Sequence, residues 1–200
     1  MAILFLAACS STKITSSWKS PNLQPKQYNK ILVLGLIKEN DRSLQEKMEA
    51  HLVDDLKSKG LNAISSLQEY GPQAFSNTTE TVAIARLKQS NIDAVITIVL
   101  LDKEKERNYV PGRMFYSPYV IYYNRFWPYY GTLNYRIYEP GYYVTDTKYF
   151  WESNVYDVST QSLLYSVQTK SFEPANSESL GHEYGKLIIK AITENAVFAL

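Results

Sequence analysis

Cysteine occurs once in these 200 residues, at Cys9, so the chain cannot close an internal disulfide. Histidine occurs twice, at His51 and His182, on helices far apart in sequence. Both read as surface helix positions, and two histidines without a cysteine pair give no zinc spacing. Charge of one sign is lacking as well: 21 Lys and Arg meet 20 Asp and Glu, a formal net charge of +1. That leaves no basic field for nucleic acid and no acidic one. No run of 18 apolar residues marks a transmembrane helix. G-x-S-x-G, H-E-x-x-H, the P-loop and G-x-G-x-x-G are all missing, and Gly35 alone after a strand is too little for a nucleotide site. Asp54-Asp55 reads as helix surface. Asp102, Glu104 and Glu106 alternate with lysines, as a salt-bridged exposed strand or loop would. No cofactor is expected, and the chain is expected not to be an enzyme.

What is present begins with MAILFLAACSS. Eight uncharged residues lead into Cys9, and Leu6-Ala7-Ala8-Cys9 has the form of a lipobox. The thiol takes a diacylglyceryl group, and small residues before it admit a membrane peptidase. Ile3-Leu4-Phe5-Leu6 is the hydrophobic segment of a signal peptide over 1–8, short and without a preceding Lys or Arg, as a start placed too late would leave it. Ser10-Ser11-Thr12-Lys13 and Ser16-Ser17 read as a flexible tether, so that 9–27 joins the lipid to a domain over 28–200. Ser10 is not aspartate, and no acidic cluster follows Cys9. The expected location is therefore the outer membrane, facing the periplasm.

From Asn29-Lys30 the chain enters Ile31–Ile37, an apolar run without alternation, as in a strand covered on both faces. Asn40 or Asp41 caps a helix over 41–59, with Leu44, Met48, Leu52, Val53 and Leu56 on one face and Gly60 as C-cap. A weak strand over 61–67, a loop at Gly71-Pro72 and a helix over 79–90 follow, with Val82, Ala83 and Leu87 on one face. Ala94–Leu101 is the strongest strand signal. The order β-α-β-α-β implies a largely parallel or mixed sheet with right-handed crossovers. After the charge run 102–107 and the segment 109–143, residues 149–158 and 163–169 pair as a hairpin about a turn at 159–162. A last helix carries Leu180, Tyr184, Leu187, Ile188, Ala191, Ile192 and Ala196 on its apolar face. The fold class is α/β, a mixed sheet of about five strands with two or three packed helices. The helix 41–59 and the last helix should pack against the same sheet, with the aromatic insertion projecting at one end.

Between Tyr109 and Tyr143 lie eleven of the seventeen tyrosines, with Phe115, Phe126 and Trp127 among them. Pro111, Pro118, Pro128 and Pro140, with Gly112, Gly131 and Gly141, prevent a long helix. Tyrosine offers a large contact area at low entropy cost and a hydroxyl that can stay wet. Three readings stand open: rings covering their own loop and sheet edge, a contact surface, or a membrane-interface segment. As a contact surface, its candidate residues are Tyr116, Tyr119, Tyr122, Tyr123, Arg125, Trp127, Tyr129 and Tyr130.

Cys9 is followed by Thr15-Ser16-Ser17-Trp18-Lys19-Ser20-Pro21 and then Tyr28-Asn29-Lys30-Ile31-Leu32-Val33-Leu34-Gly35. An Arg42…Glu46…Glu49 helix ends at Lys59-Gly60, Asn91-Ile92-Asp93-Ala94-Val95 feeds a strand, and Tyr109-Val110-Pro111-Gly112 opens the Tyr/Gly-rich stretch. In these features the chain resembles a family of uncharacterised bacterial envelope lipoproteins common in Bacteroidetes and Proteobacteria. More distantly, the layout is similar to the periplasmic domain of the curli-secretion channel lipoprotein, the penicillin-binding-protein activator lipoprotein and the Tol translocation protein's amino-terminal domain. The resemblance implies action by binding or assembly and supplies no functional residues. The expected role is a lipid-anchored, non-catalytic interaction or structural module. Its partners would be the membrane through Cys9 and an envelope protein or glycan, with homo-oligomers allowed and no nucleic acid. The alternative is an envelope enzyme or carbohydrate-binding protein acting on cell-wall glycan, with Asp102, Glu104 or Glu106 as acid and base.

Overall fold

The structure, a computed structural model, describes residues 12–37, 42–73, 75, 78–110 and 142–199. These fall into two units, one within 1–104 and 147–200, the other within 105–146.

Strands β1 (Thr12–Lys19), β2 (Ile31–Leu36), β3 (Ala63–Ser65), β4 (Ala94–Val110), β5 (Tyr142–Asp157) and β6 (Ser162–Phe172) form one sheet in the order β1-β6-β5-β4-β2-β3. Among the described residues there are four helices: α1 (Arg42–Ser58), α2 (Ser66–Tyr70), α3 (Glu80–Gln89) and α4 (Ser177–Glu194). The sheet is mixed, as expected: β2 runs parallel to β3 and β4, while β6 is antiparallel to β5 and β1.

The apolar run of β2 has the reason expected of it. Ile31 and Val33 pack with Leu44, Met48 and Leu52 of α1 and with Ile188 and Ile192 of α4. Leu32 and Leu34, on the other face, pack with Leu87 and Ile84 of α3. The two crossovers leave β2 and β3 in opposite directions along the sheet. With the same right hand they must then lie on opposite faces. α1 and α4 pack against the same sheet, as expected, and share the first face.

β5 and β6 read differently. From Trp151 to Asp157 and from Tyr165 to Ser171, buried and half-buried residues alternate strictly, which is a sheet packed on one face only. Trp151, fully buried, lies 5.7 Å from Tyr184 of α4 and stacks on Tyr149. Asn176 caps α4 by accepting from Ser179 N at 2.8 Å, and Ser179 Oγ accepts from Asn176 N in return. α4 lies tightly on α1 because position 181 is glycine: a Cβ there would stand 2.7 Å from His51 Cδ2.

Several expectations change. Residues 12–19, taken as tether, form β1, because their backbone has an open edge on β6 to complete; Thr12 pairs with Ser171 and Lys19 with Tyr165. With β1 the mixed sheet, expected to have about five strands, has six. The weak strand stops at Ser65, whose hydroxyl accepts from Leu67 N and Gln68 N and so starts α2. The charge run 102–107, expected as exposed strand or loop, is strand, the continuation of β4. Ala196, placed on the last helix, lies beyond its end with φ of 48° and is exposed. Gly60, at φ of 79°, is the helix stop predicted for it.

Candidate functional site

Cys9 and the candidates Tyr116, Tyr119, Tyr122, Tyr123, Arg125, Trp127, Tyr129 and Tyr130 lie outside the described residues, as does the projection of the insertion. What is described of the tyrosine-rich stretch is its two flanks, in the unit 105–146. Tyr109, Tyr142 and Tyr143 are 56%, 63% and 58% exposed. The tyrosines of the larger unit differ sharply, Tyr165 and Tyr184 being buried at 1% and 0%. Tyr109 and Tyr143 set their ring centroids 5.1 Å apart at 55°. The Arg107 guanidinium lies over the Tyr143 ring, its carbon 4.0 Å from the centroid. Asn108 Nδ2 donates to Asp146 Oδ2 at 2.6 Å. The ring's quadrupole attracts the guanidinium, so the arginine and the two tyrosines form one exposed cluster. Composition pointed to this surface; the arginine on the stack did not show in the sequence.

Asp102, Glu104 and Glu106 alternate along β4 and are exposed. A different place has the form of a ligand cleft. Where the carboxyl end of β2 lies beside the middle of β4, an opening of about 690 Å³ is lined by Leu34–Ile37, Gln45, Ser66, Phe75 and Val99–Leu101. Open α/β sheets bind ligands at this end of their strands. The lining carries no carboxylate, histidine or cation among the described residues.

Beneath it lies Glu49, fully buried, a residue that the helical spacing gave no reason to bury. β3 pairs only with Ile31–Val33, so β2 has an open edge at Gly35. Glu49 Oε1 accepts from Gly35 N at 2.8 Å, and Gln45 Nε2 donates to Gly35 O at 3.0 Å. Two side chains one helical turn apart thus supply both halves of a missing ladder pair. Glu49 Oε1 also accepts from Gln45 Nε2 and Ser66 Oγ, each at 2.9 Å. Glu49 Oε2 accepts from Ser65 Oγ at 2.6 Å and from Leu67 N at 3.2 Å. Residue 35 is glycine because a Cβ would stand 2.8 Å from Gln45 Cγ and 2.9 Å from Glu49 Oε1. Every acceptor position of the carboxylate is thereby engaged, so Glu49 is a fixture of the fold and offers no lone pair to a substrate.

The two histidines meet across α1 and α4. His51, expected to be exposed, is half-buried, its ring 5.9 Å from that of His182 and its Nε2 2.7 Å from Glu178 Oε1. Asp55, expected on the helix surface, is half-buried. Burial pushes its carboxyl above the usual range, against the pull of His182, His51 and Lys186. Among the described residues, no group of three or more His, Cys, Asp or Glu is placed to hold a metal ion. None of their helices is long and apolar enough to cross a membrane.

No protein-family model matches the sequence, and no curated protein does. Solved structures similar to it include a PelC dodecamer from Paraburkholderia phytofirmans, with 9% identity over 94% of this chain and 99% of that one and a TM-score of 0.47. Lipoprotein GNA1162 from Neisseria meningitidis aligns at 12% identity over 82% of this chain and 98% of that one, TM-score 0.43. The hypothetical protein CT253 from Chlamydia trachomatis aligns at 14% identity over 86% and 98%, TM-score 0.44. At these scores the likeness assigns neither function nor partner, and the functional reading rests on the residues.

Proposed function

We propose that this protein is a lipid-anchored cell-envelope module that acts by contact rather than by catalysis. Cys9 carries the anchor at the periplasmic side of the outer membrane, and the tyrosine-rich segment 109–143 is the contact surface for an envelope protein or glycan. The observation that carries the reading is the stack of Arg107, Tyr143 and Tyr109 with the adjoining Tyr142, all exposed on strand backbone. Aromatic rings left in water while other tyrosines of the chain are fully buried mark an interaction surface. Strand backbone and the guanidinium lower the entropy lost when a partner is bound. The carboxylates of β4 face solvent rather than a cleft, as a contact role allows.

The test is crosslinking and pull-down from envelope fractions. The intact chain is compared with a variant carrying Arg107→Ala, Tyr109→Ala, Tyr142→Ala and Tyr143→Ala. These exposed positions leave the fold unchanged by circular dichroism, and the variant should lose its specific partner band or glycan. Recovery of the same partners at the same yield would refute the contact surface. Incorporation of labelled palmitate into the native chain, and not into Cys9→Ser, tests the anchor.

A further inference from the structure

We propose that the outward face of β1, β6 and β5, at the end of the sheet where Thr12 begins β1, is a membrane-docking surface that rests on anionic lipid headgroups. The inference rests on the reading that Cys9 carries a lipid. Cys9 precedes Thr12 by three residues, and three residues span at most about 10 Å when fully extended. A lipid at Cys9 therefore holds the first residue of β1 within that reach of the headgroups. Because 12–19 is strand and not tether, the domain has almost no slack and must present a definite face to the bilayer.

Strand register fixes that face. Lys13 pairs with Lys170, and Lys170 with Phe150; in the next row Phe172 pairs with Lys148. Residues two apart on a strand share a face, so these five side chains form one cluster. The intervening Thr12, Ser171 and Trp151 are buried on the α4 side. Lys13 and Phe172 are exposed; Lys148, Phe150 and Lys170 are half-exposed. Lys170 Nζ lies 5.0 Å from the Phe150 centroid, and Lys148 Nζ 6.0 Å from that of Phe172. Trp18, 47% exposed, sits two rows further along the same face beside Ser166.

Acidic groups near the patch include Glu152, Glu173 and Glu183, and β4, beside β5, carries the exposed Asp102 and Glu104. Glu152 lies on the face one row behind, and Gln168 Nε2 and Asn154 Nδ2 both donate to it. Glu173 follows Phe172 and turns the chain, its amide donating to Thr147 O. Glu183 approaches Thr12 from α4, on the other face of the sheet. In the two rows nearest the anchor on β1, β6 and β5, three lysines thus share the face with two phenylalanines. Cations close to an anionic leaflet, with rings at headgroup depth, are what a membrane interface selects.

The lone cysteine makes the test specific. The full chain is coupled through Cys9 to a maleimide-bearing phospholipid in vesicles, and its lysines are acetylated with an amine-reactive reagent and read by mass spectrometry. On equimolar phosphatidylcholine–phosphatidylglycerol vesicles, Lys13, Lys148 and Lys170 should be protected several-fold relative to the uncoupled chain, while Lys57 and Lys59 label as before. Lys13→Glu with Lys170→Glu should abolish protection of Lys148, and Lys57→Glu with Lys59→Glu should not. Equal labelling of all five lysines, or equal protection on phosphatidylcholine alone, overturns the docking face. Palmitate labelling in cells decides the anchor separately: a native chain without label sinks the anchor reading, whereas the vesicle result speaks only to the face.

Discussion

Replacing Glu49 by leucine tests whether the buried carboxylate holds the end of β2. Leucine keeps most of the volume and removes both acceptors. Gly35 N–H and the Ser66 hydroxyl lose their carboxylate partner in a fully buried place, and the Ser65 hydroxyl proton loses its acceptor. Gln45 keeps one partner, the Gly35 carbonyl. Each orphaned buried donor costs about 1–3 kcal/mol, so three cost roughly 3–9 kcal/mol, of which about 2–6 kcal/mol is left once an apolar gain of about 1–3 kcal/mol for leucine is set against them. Net folding free energies are only about 5–15 kcal/mol, so a sizeable share of the margin should go. The assay is urea unfolding followed by far-ultraviolet circular dichroism, with the midpoint falling and the slope unchanged. Adding Ser66→Ala to Glu49→Leu removes one orphan and should restore about 1–2 kcal/mol. Ser65→Ala should restore nothing, because it also removes the N-cap of α2. If Glu49→Leu stays within about 1 kcal/mol of the parent, or if Ser66→Ala makes the double variant worse, the hydrogen bonds do not hold the strand and the reasoning fails.

Two further predictions follow from buried polar groups. Burial raises the Asp157 carboxyl, but hydrogen bonds from Ser159, Lys26, Thr160 and Tyr28 outweigh it and hold the group well below the ordinary carboxylate range. A depressed folded value contributes stability that is complete above the unfolded pKa of about 3.9 and is lost as pH falls toward the folded one. Asp157→Asn should therefore flatten the acid limb of a stability–pH curve below about pH 4, at a cost near neutrality; an unchanged acid limb contradicts the assignment. Thr169 is buried at 2% with a hydroxyl that has no hydrogen-bond partner among the described residues. Thr169→Val, the same shape without the hydroxyl, should raise stability by about 1 kcal/mol by thermal or urea unfolding, and a loss of that size would show the hydroxyl to be engaged.

Local pattern in the sequence determined what short-range physics controls. The seven-residue apolar run Ile31–Ile37 suits a strand buried on both faces, and Leu44, Met48, Leu52 and Leu56 face one core if they are helical. The α/β class, the hairpin 149–169, the stop at Gly60 and the clustering of tyrosines were all legible in this way. Tertiary structure decided wherever a residue's role depends on a partner far along the chain. Residues 12–19 carry no apolar stripe and read as tether until the edge of β6, about 150 positions later, offers its backbone. Glu49 lies among apolar helix positions as a plain surface acid until β3 ends early and leaves Gly35 to be completed from α1. His51 and Asp55 read as solvent-facing until α4 returns over them, drawn close by Gly181. Such roles arise from long-range pairing, which composition and periodicity do not encode.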